Sequence, residues 1–297
     1  MLSRICLLLG PLWLSLSLSA QPIVLPTQQG ELRLPQAPTR VVALEFSLVD
    51  ALVAVGVSPV GIADDGSPAR LLPALRQGLA PWRSVGSRAQ PSLEVIADLK
   101  PDLILADGER HGAIYGALSR IAPTLLLPSS RVGYEANLTA AAQVGRAVGR
   151  QAAMQARLTL HHARMAQAAR QLTPLRGHTL QFGVSRENAF FAHPAASYAG
   201  GVLQALGLST PAPEGQDLGS RQIGLEQLLA LNPDYLLVGD YGPKSLVAQW
   251  QQQPLWPLLT AAKPGHLWPV SGNLWSRCRG LLAAELMAAD LVRLAQG

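Results

Sequence analysis

The chain has 297 residues, of which 48% are hydrophobic and 14% charged, with a formal net charge of +5 and an isoelectric point near 9.6. That balance suits nucleic acid on charge alone, but the first twenty residues mark a secreted chain, which rarely meets any. What remains after the leader, about 277 residues, is ample for two domains of ordinary size.

The leader "MLSRICLLLGPLWLSLSLSA" joins a basic start at Arg4 to a short apolar run and ends in small residues. This predicts a signal peptide over 1–20, cleaved near Ala20–Gln21. Pro11 and the shortness of the run argue against a membrane anchor, and no later stretch reaches spanning length. No cysteine follows the cleavage region, so no lipid anchor is expected there. Cys6 leaves with the leader, which leaves Cys278 alone and rules out an intramolecular disulfide. Cys278 reads as a packed thiol, although Arg277 and Arg279 beside it favour a thiolate.

Downstream, "RVVALEF", "SLVDALVAVGV" and "PVGIAD" read as strand, helix and strand, with Gly56 placed as a left-handed helix cap. "PDLILAD" and "PTLLLP" continue the pattern, and "HTLQFGV", "PDYLLVGD" and "HLWPV" repeat it in the second half. The fold class is therefore α/β, with largely parallel sheets. From Tyr134 to Leu172 the chain carries no strand signal; Gly149 divides it and leaves Gln151–Leu172 as one helix of about 33 Å. The expected organisation is an N-terminal α/β lobe over 21–145, a rigid linking helix over 146–172 and a C-terminal α/β lobe over 173–297. His161 and His162 are placed on a solvated face of that helix, as are Arg146, Arg150, Arg157, Arg164 and Arg170.

The two lobes share a phrase. "PSLEVIADLKPDLILAD" begins at Pro91 and "IGLEQLLALNPDYLLVGD" at Ile223, so Glu94, Pro101 and Asp102 return as Glu226, Pro233 and Asp234, each 132 residues on. Each copy predicts a helix that starts at its glutamate, stops before the proline and feeds a buried strand. The aspartate is expected to cap the turn. The glutamates have two explanations at this stage: a first-turn carboxylate favoured by the helix dipole, or a surface contact.

No nucleophile elbow, phosphate loop, dinucleotide fingerprint or zinc-protease motif is present. The remaining histidines, at 111, 178, 193 and 266, lack metal-ligand spacing. Arginine carries the chemistry, at 21 residues against 3 lysines. Arg88, Arg110, Arg131, Arg186, Arg221, Arg277 and Arg279 fall in loops beside predicted strand ends, where open α/β sheets bind ligands. Planar guanidinium forks suit a compact polyanion rich in carboxylates. The ligand-binding set expected is Arg88, Arg110, Arg131, Arg186, Arg221, Arg277 and Trp275, with Trp275 and Trp82 as candidate walls.

These stretches, together with "QQQPLWPLLTA", resemble the periplasmic iron-siderophore-binding proteins of ABC importers, over about Pro38 to Leu294. "SRAQPSLE", "ERHGAIYGALSRIAP", "VSREN" and "NLWSRCRGLLAAE" are similar to the members of that family that bind ferric citrate. "HPAASYAGG", with Ala195 and Ala196, departs from the polar loop expected there. The resemblance implies two Rossmann-like lobes joined by a long helix and a periplasmic monomer that takes ferric citrate in the cleft. It also implies an inner-membrane permease and its ATPase as partners, docked through Glu94 and Glu226. Citrate oxygens would ligate the iron, with protein arginines around them, so neither a direct metal site nor a resident cofactor is expected. A receptor for another siderophore or for vitamin B12, or a secreted enzyme acting on a small anion, remains open at this point.

Overall fold

The computed structural model describes residues 22–27, 29–211, 218–240 and 244–296; the predicted leader lies outside the described residues. In chain order the strands are β1 (Ile23–Thr27), β2 (Gly30–Leu34), β3 (Val41–Ala43), β4 (Gly61–Ile62), β5 (Arg83–Ser84) and β6 (Leu103–Asp107). They continue with β7 (Thr124–Leu127), β8 (Leu180–Ser185), β9 (Phe190–Ala192), β10 (Arg221–Ile223), β11 (Tyr235–Asp240) and β12 (Leu267–Ser271). β1 and β2 form a separate antiparallel hairpin whose Leu25 and Leu34 reach the core.

The first lobe is a five-stranded sheet in the order β5-β4-β3-β6-β7, parallel throughout. The second follows the order β10-β9-β8-β11-β12, with β8, β11 and β12 parallel. Its edge departs from the expected alternation: β9 runs antiparallel to β8, and β10 to β9. The reason is local. Arg186 N–H donates to the Ala189 carbonyl at 2.8 Å, and so short a reversal can only return a strand antiparallel. β6 and β8 are buried along their whole length, which is why they read as continuous apolar runs.

The repeated phrase folds the same way twice. Helices Leu93–Asp98 and Leu225–Leu231 end in a left-handed residue, Lys100 at φ 47° and Asn232 at φ 40°, themselves 132 positions apart. The prolines that follow then lead into β6 and β11. The aspartates do more than cap a turn. Asp102 accepts from the Thr39 and Arg40 N–H groups at 2.7 and 2.8 Å, just ahead of β3. Asp234 accepts from Thr179 N–H at 2.8 Å, just ahead of β8. Each aspartate thus ties its strand to the neighbour that founds the lobe.

Helix Tyr134–Ala147 is followed by Gly149 at φ 66° and then by the linking helix Gln151–Gln171, of 21 residues. One hydrophobic core runs through both lobes, from Val41, Phe46 and Leu105 by way of Val144, Met154 and Met165 to Phe182, Met287 and Leu291. The outer faces of the sheets have cores of their own, around Ile104 and Leu118 in the first lobe and Leu236 and Trp250 in the second.

The solvated-face expectation for the linking helix needs correction. His161 is fully buried, and its Nδ1 lies 2.9 Å from Glu285 on the C-terminal helix Leu281–Gln296. A carboxylate only accepts, so Nδ1 carries a proton; Nε2 bonds the Tyr134 hydroxyl. Arg157 and Arg164 donate to the same carboxylate, each at 2.7 Å. Residues 157, 161 and 164 share one helix face; Arg157 and His161 on it pack against the second helix instead of water, while Arg164 stays exposed as expected and reaches Glu285 from the rim. Arg146, Arg150, Arg170 and His162 are exposed as expected.

The last helix starts on the first lobe. Asp50, buried in helix Phe46–Ala54, accepts from the Leu282 and Ala283 N–H groups at 3.1 Å and so satisfies two donors at that helix start. Gly280, at φ 121°, is required there, because a Cβ would stand 2.4 Å from the Asp50 carboxyl carbon.

Candidate ligand cleft

The carboxyl ends of the strands converge on a cavity of about 250 Å³ between the lobes. The first lobe supplies Arg110, Ser130 and Arg131; the second supplies His193, Ser197, Tyr198, Trp275 and Arg279. A larger groove of about 580 Å³ runs between the linking and C-terminal helices, and no loop that follows a strand lines it. A hollow of about 690 Å³ at the ends of β6 and β7 is lined by the first lobe alone. The interlobe cavity instead takes the loops after β6, β7 and β9 together with the turn before the last helix, which matches the ligand position of open α/β sheets.

Asp107, at the end of β6, builds the first wall. Its carboxylate accepts from Arg110 N–H at 2.7 Å, from Ser129 N–H at 2.9 Å and from Ser130 N–H at 2.7 Å, joining the loops after β6 and β7. That brings Arg110 and Arg131 to the same rim. His111 is buried between Asp107 N–H, which donates to Nδ1 at 2.9 Å, and the Arg88 carbonyl, which accepts from Nε2 at 2.8 Å. Burial lowers its pKa, so the neutral ring serves to hold the Arg88 loop against this wall.

Tyr198 builds the second wall. Its hydroxyl donates to the Gly280 carbonyl at 2.6 Å and accepts from Gly280 N–H at 3.0 Å, which fixes the turn that presents Arg279. Asn273 Nδ2 donates to the Arg70 carbonyl at 2.8 Å, tying this wall to the first lobe. Trp275 lines the cavity, is only 1% exposed and donates Nε1–H to Asp290 at 3.2 Å. Cys278 is buried, and burial pushes its thiol up to about 12; it is the packed alternative, not an activated thiolate.

The expected arginines divide. Arg110, Arg131 and Trp275 come together in the cavity, while Arg88, Arg186, Arg221 and Arg277 are not among its lining. Arg88 is buried in ion pairs, with Nη2 3.0 Å from Asp65 and Nη1 3.5 Å from Glu45. Its guanidinium also covers the Phe46 ring at 4.2 Å. Arg186 is exposed and lies over Phe191 at 5.4 Å. Arg221 is not in a loop but opens the edge strand β10. Arg277 donates to Asn273 at 3.3 Å. Trp82 donates to Asp64 at 3.1 Å and forms no part of the cavity wall. Ala195 and Ala196 line a separate hollow with Tyr134 and Gln204.

Two functional candidates stand outside the expected binding set: Glu45, which nothing in the sequence singles out, and Arg279, which was placed among the loop arginines but not in that set. Glu45, 1% exposed, stands behind the first wall with Arg110 Nε 2.6 Å from its Oε1, an ion pair without hydrogen-bond alignment. Burial raises its pKa in spite of Arg88 and Arg110. Arg279 is the second: it lines the cavity and makes no hydrogen bond or ion pair to any described residue, and burial lowers its pKa. Its signal was present in "WSRCRG", but nothing in the sequence separates a guanidinium aimed into a cleft from one beside it. Arg131 keeps only a loose, exposed pair with Glu109 at 3.6 Å, of the kind that contributes little. Arg279 and Arg131, with part of Arg110, thus leave uncompensated positive charge facing the cavity. Among the described residues no group of three or more His, Cys, Asp or Glu is arranged to hold a metal ion.

Residues 41–269 match the model of the periplasmic binding protein family. The chain belongs to the periplasmic binding protein family. It is 51% identical over 268 residues to the Fe(3+) dicitrate-binding periplasmic protein FecB of Escherichia coli (strain K12), covering 90% of this chain and 88% of that one. Identity to the Fe(3+)-citrate-binding protein YfmC of Bacillus subtilis (strain 168) is 33%, over 91% of this chain and 85% of that one. The fold superposes on that of Staphylococcus aureus SirA complexed with staphyloferrin B with a TM-score of 0.80, at 22% identity, covering 92% of this chain and 98% of that one. The first two are named for binding ferric citrate, and the α/β fold is shared with SirA. No helix among the described residues is long and apolar enough to cross a membrane.

Proposed function

We propose that this protein is the periplasmic receptor of an ABC importer and that it takes ferric citrate in the interlobe cleft. The observation that carries the reading is the set of guanidinium groups on both cavity walls, Arg110 and Arg131 facing Arg279, in a chain so similar to a ferric dicitrate-binding protein. Citrate carboxylates match guanidinium forks in charge and geometry. The iron keeps its citrate ligands and enters as cargo. A leader over 1–20 sends the chain to the periplasm, and no turnover is expected of it.

The same reading assigns Glu94 and Glu226 as docking contacts for the permease. Both are exposed, each at the second position of its helix, in the two copies of the repeated phrase. Exposed ion pairs add modest affinity but steer encounter and fix orientation.

A tryptophan-fluorescence titration tests the ligand, using ferric citrate, citrate alone, ferrichrome and cobalamin. Ferric citrate should bind in preference to ferrichrome and cobalamin, and added salt should weaken it as surface charges are screened. Tight cobalamin binding with no response to ferric citrate would overturn the assignment.

A further inference from the structure

We propose that His193 is a proton-coupled ligand donor: its imidazole is neutral in the empty cleft and becomes an imidazolium when the anionic chelate enters, so that binding takes up a proton. The inference rests on the cleft being a ferric citrate site.

The geometry motivates it. His193 follows β9, lines the cavity and leans on the Phe182 ring with centroids 4.7 Å apart. Neither ring nitrogen makes a hydrogen bond to any described residue, while the backbone of the same residue is held at both ends. Its N–H donates to the Phe182 carbonyl at 3.0 Å, and its carbonyl accepts from Gln181 at 2.9 Å. The backbone is thus fixed while the ring is left without a partner.

The groups around it are of one sign. Arg279, from the turn before the C-terminal helix, is the charge that acts on it most directly. Arg110 and Arg131 face it from the first lobe, and Tyr198 and Trp275 complete its own wall. The acids behind this set are already engaged, Glu45 by Arg88 and Arg110, Asp107 by the N–H groups of Arg110, Ser129 and Ser130, and Glu109 by Arg131. In the empty protein, burial first and then Arg279 hold the imidazole down to about 4. It is therefore neutral at neutral pH.

A multiply charged carboxylate chelate reverses that environment. Its oxygens neutralise Arg279 and place negative charge against the ring, which favours the charged form. The proton comes from solvent to a ring nitrogen and stays there, and the new N–H donates a hydrogen bond to a citrate oxygen, with no other bond made or broken. By linkage, affinity should rise as pH falls through the ligand-bound pKa and level off near the empty-site value of about 4. One coupled proton gives at most about tenfold per pH unit.

Two measurements test this. Calorimetric titration of ferric citrate in buffers of different ionisation enthalpy counts protons taken up, including any that belong to the chelate itself. The wild type should take up more protons than His193→Gln at the same pH between 5 and 7, and lose affinity more steeply as pH rises. The second measurement needs no variant. The His193 Cε1–H resonance, followed by NMR with diamagnetic gallium(III) citrate, should move from the neutral to the protonated position on binding. Equal proton uptake by wild type and His193→Gln, or a resonance that stays neutral in the saturated complex, would overturn the inference while leaving the receptor assignment intact. Failure of either citrate complex to bind the wild type would overturn both.

Discussion

A charged side chain in this protein is explained by what faces it. Arg88 is buried and Arg279 half-buried near the strand ends, yet only Arg88 is ion-paired to acids. Burial is the largest influence on Asp65 and pushes its pKa up, but hydrogen bonds from Arg88 and Arg70 outweigh it and hold the group at about 2. Arg88→Ala should therefore strand Asp65 and Glu45 and cost stability, on the order of 3 kcal/mol, measured by urea unfolding. Arg279→Ala removes a guanidinium that no described residue compensates. Ferric citrate affinity should fall about ten- to a hundredfold, while the midpoint of unfolding stays level or rises, since a desolvated charge without a partner is costly. Equal loss of affinity in both variants, with unchanged stability, would count against this division of roles. The sequence marked both residues as loop arginines; only the position of Asp65, Glu45 and the cavity distinguishes them.

Between elements, the contact that repays testing is the one joining the linking helix to the C-terminal helix. Glu285 receives Arg157, His161 and Arg164 from three positions on one face. Burial acts on it most strongly and upward, but those three hydrogen bonds bring its pKa down to about 2, against an ordinary value of 4.5. A depressed carboxylate stabilises the folded state fully above the unfolded pKa and loses that contribution as pH falls through the folded one. Glu285→Gln should accordingly be less stable than wild type at pH 7, by about 1.5–3 kcal/mol for the loss of charged hydrogen bonds. The gap should close between pH 4.5 and 2. Unfolding curves in urea across that range check it; a gap independent of pH would show that packing, not ionisation, holds the two helices together.

At the scale of the whole molecule, the continuity of the core sets what the lobes can do. Phe46, Met154, Phe182 and Met287 belong to one packed cluster spanning both sheets, and Asp50 of the first lobe anchors the start of the last helix. Packed interiors resist continuous deformation, so ligand entry should be a local event. Small-angle scattering with and without ferric citrate should show backbone change of the order seen in preorganised complexes, about 1 Å or less; a large compaction would contradict the shared core. The docking proposal also belongs here. Glu94→Arg combined with Glu226→Arg should leave ferric citrate affinity unchanged and abolish uptake by cells, because like charge would meet like across the permease surface. Wild-type uptake at normal abundance would reduce both glutamates to helix-start carboxylates.

The α/β class, the helix at Gln151–Gln171 and the twin phrases at Pro91 and Ile223 were legible in the sequence because each rests on local chemistry. Apolar runs mark buried strands, proline and left-handed residues end helices, and 132-residue spacing survives in the chain as plain identity. The family likeness was legible for the same reason, since short motifs keep their order. What the sequence could not determine is which groups face one another across long separations. Glu45 with Arg88 and Arg110 inside the first lobe, His161 with Glu285 between the linking and last helices, and Asp50 with the N–H groups of Leu282 and Ala283 between the lobes are pairings made by tertiary packing. The cleft is of that kind as well. A loop arginine becomes a ligand donor, an ion-pair partner or a surface cation according to the charge and burial around it, and those arise only when distant segments meet.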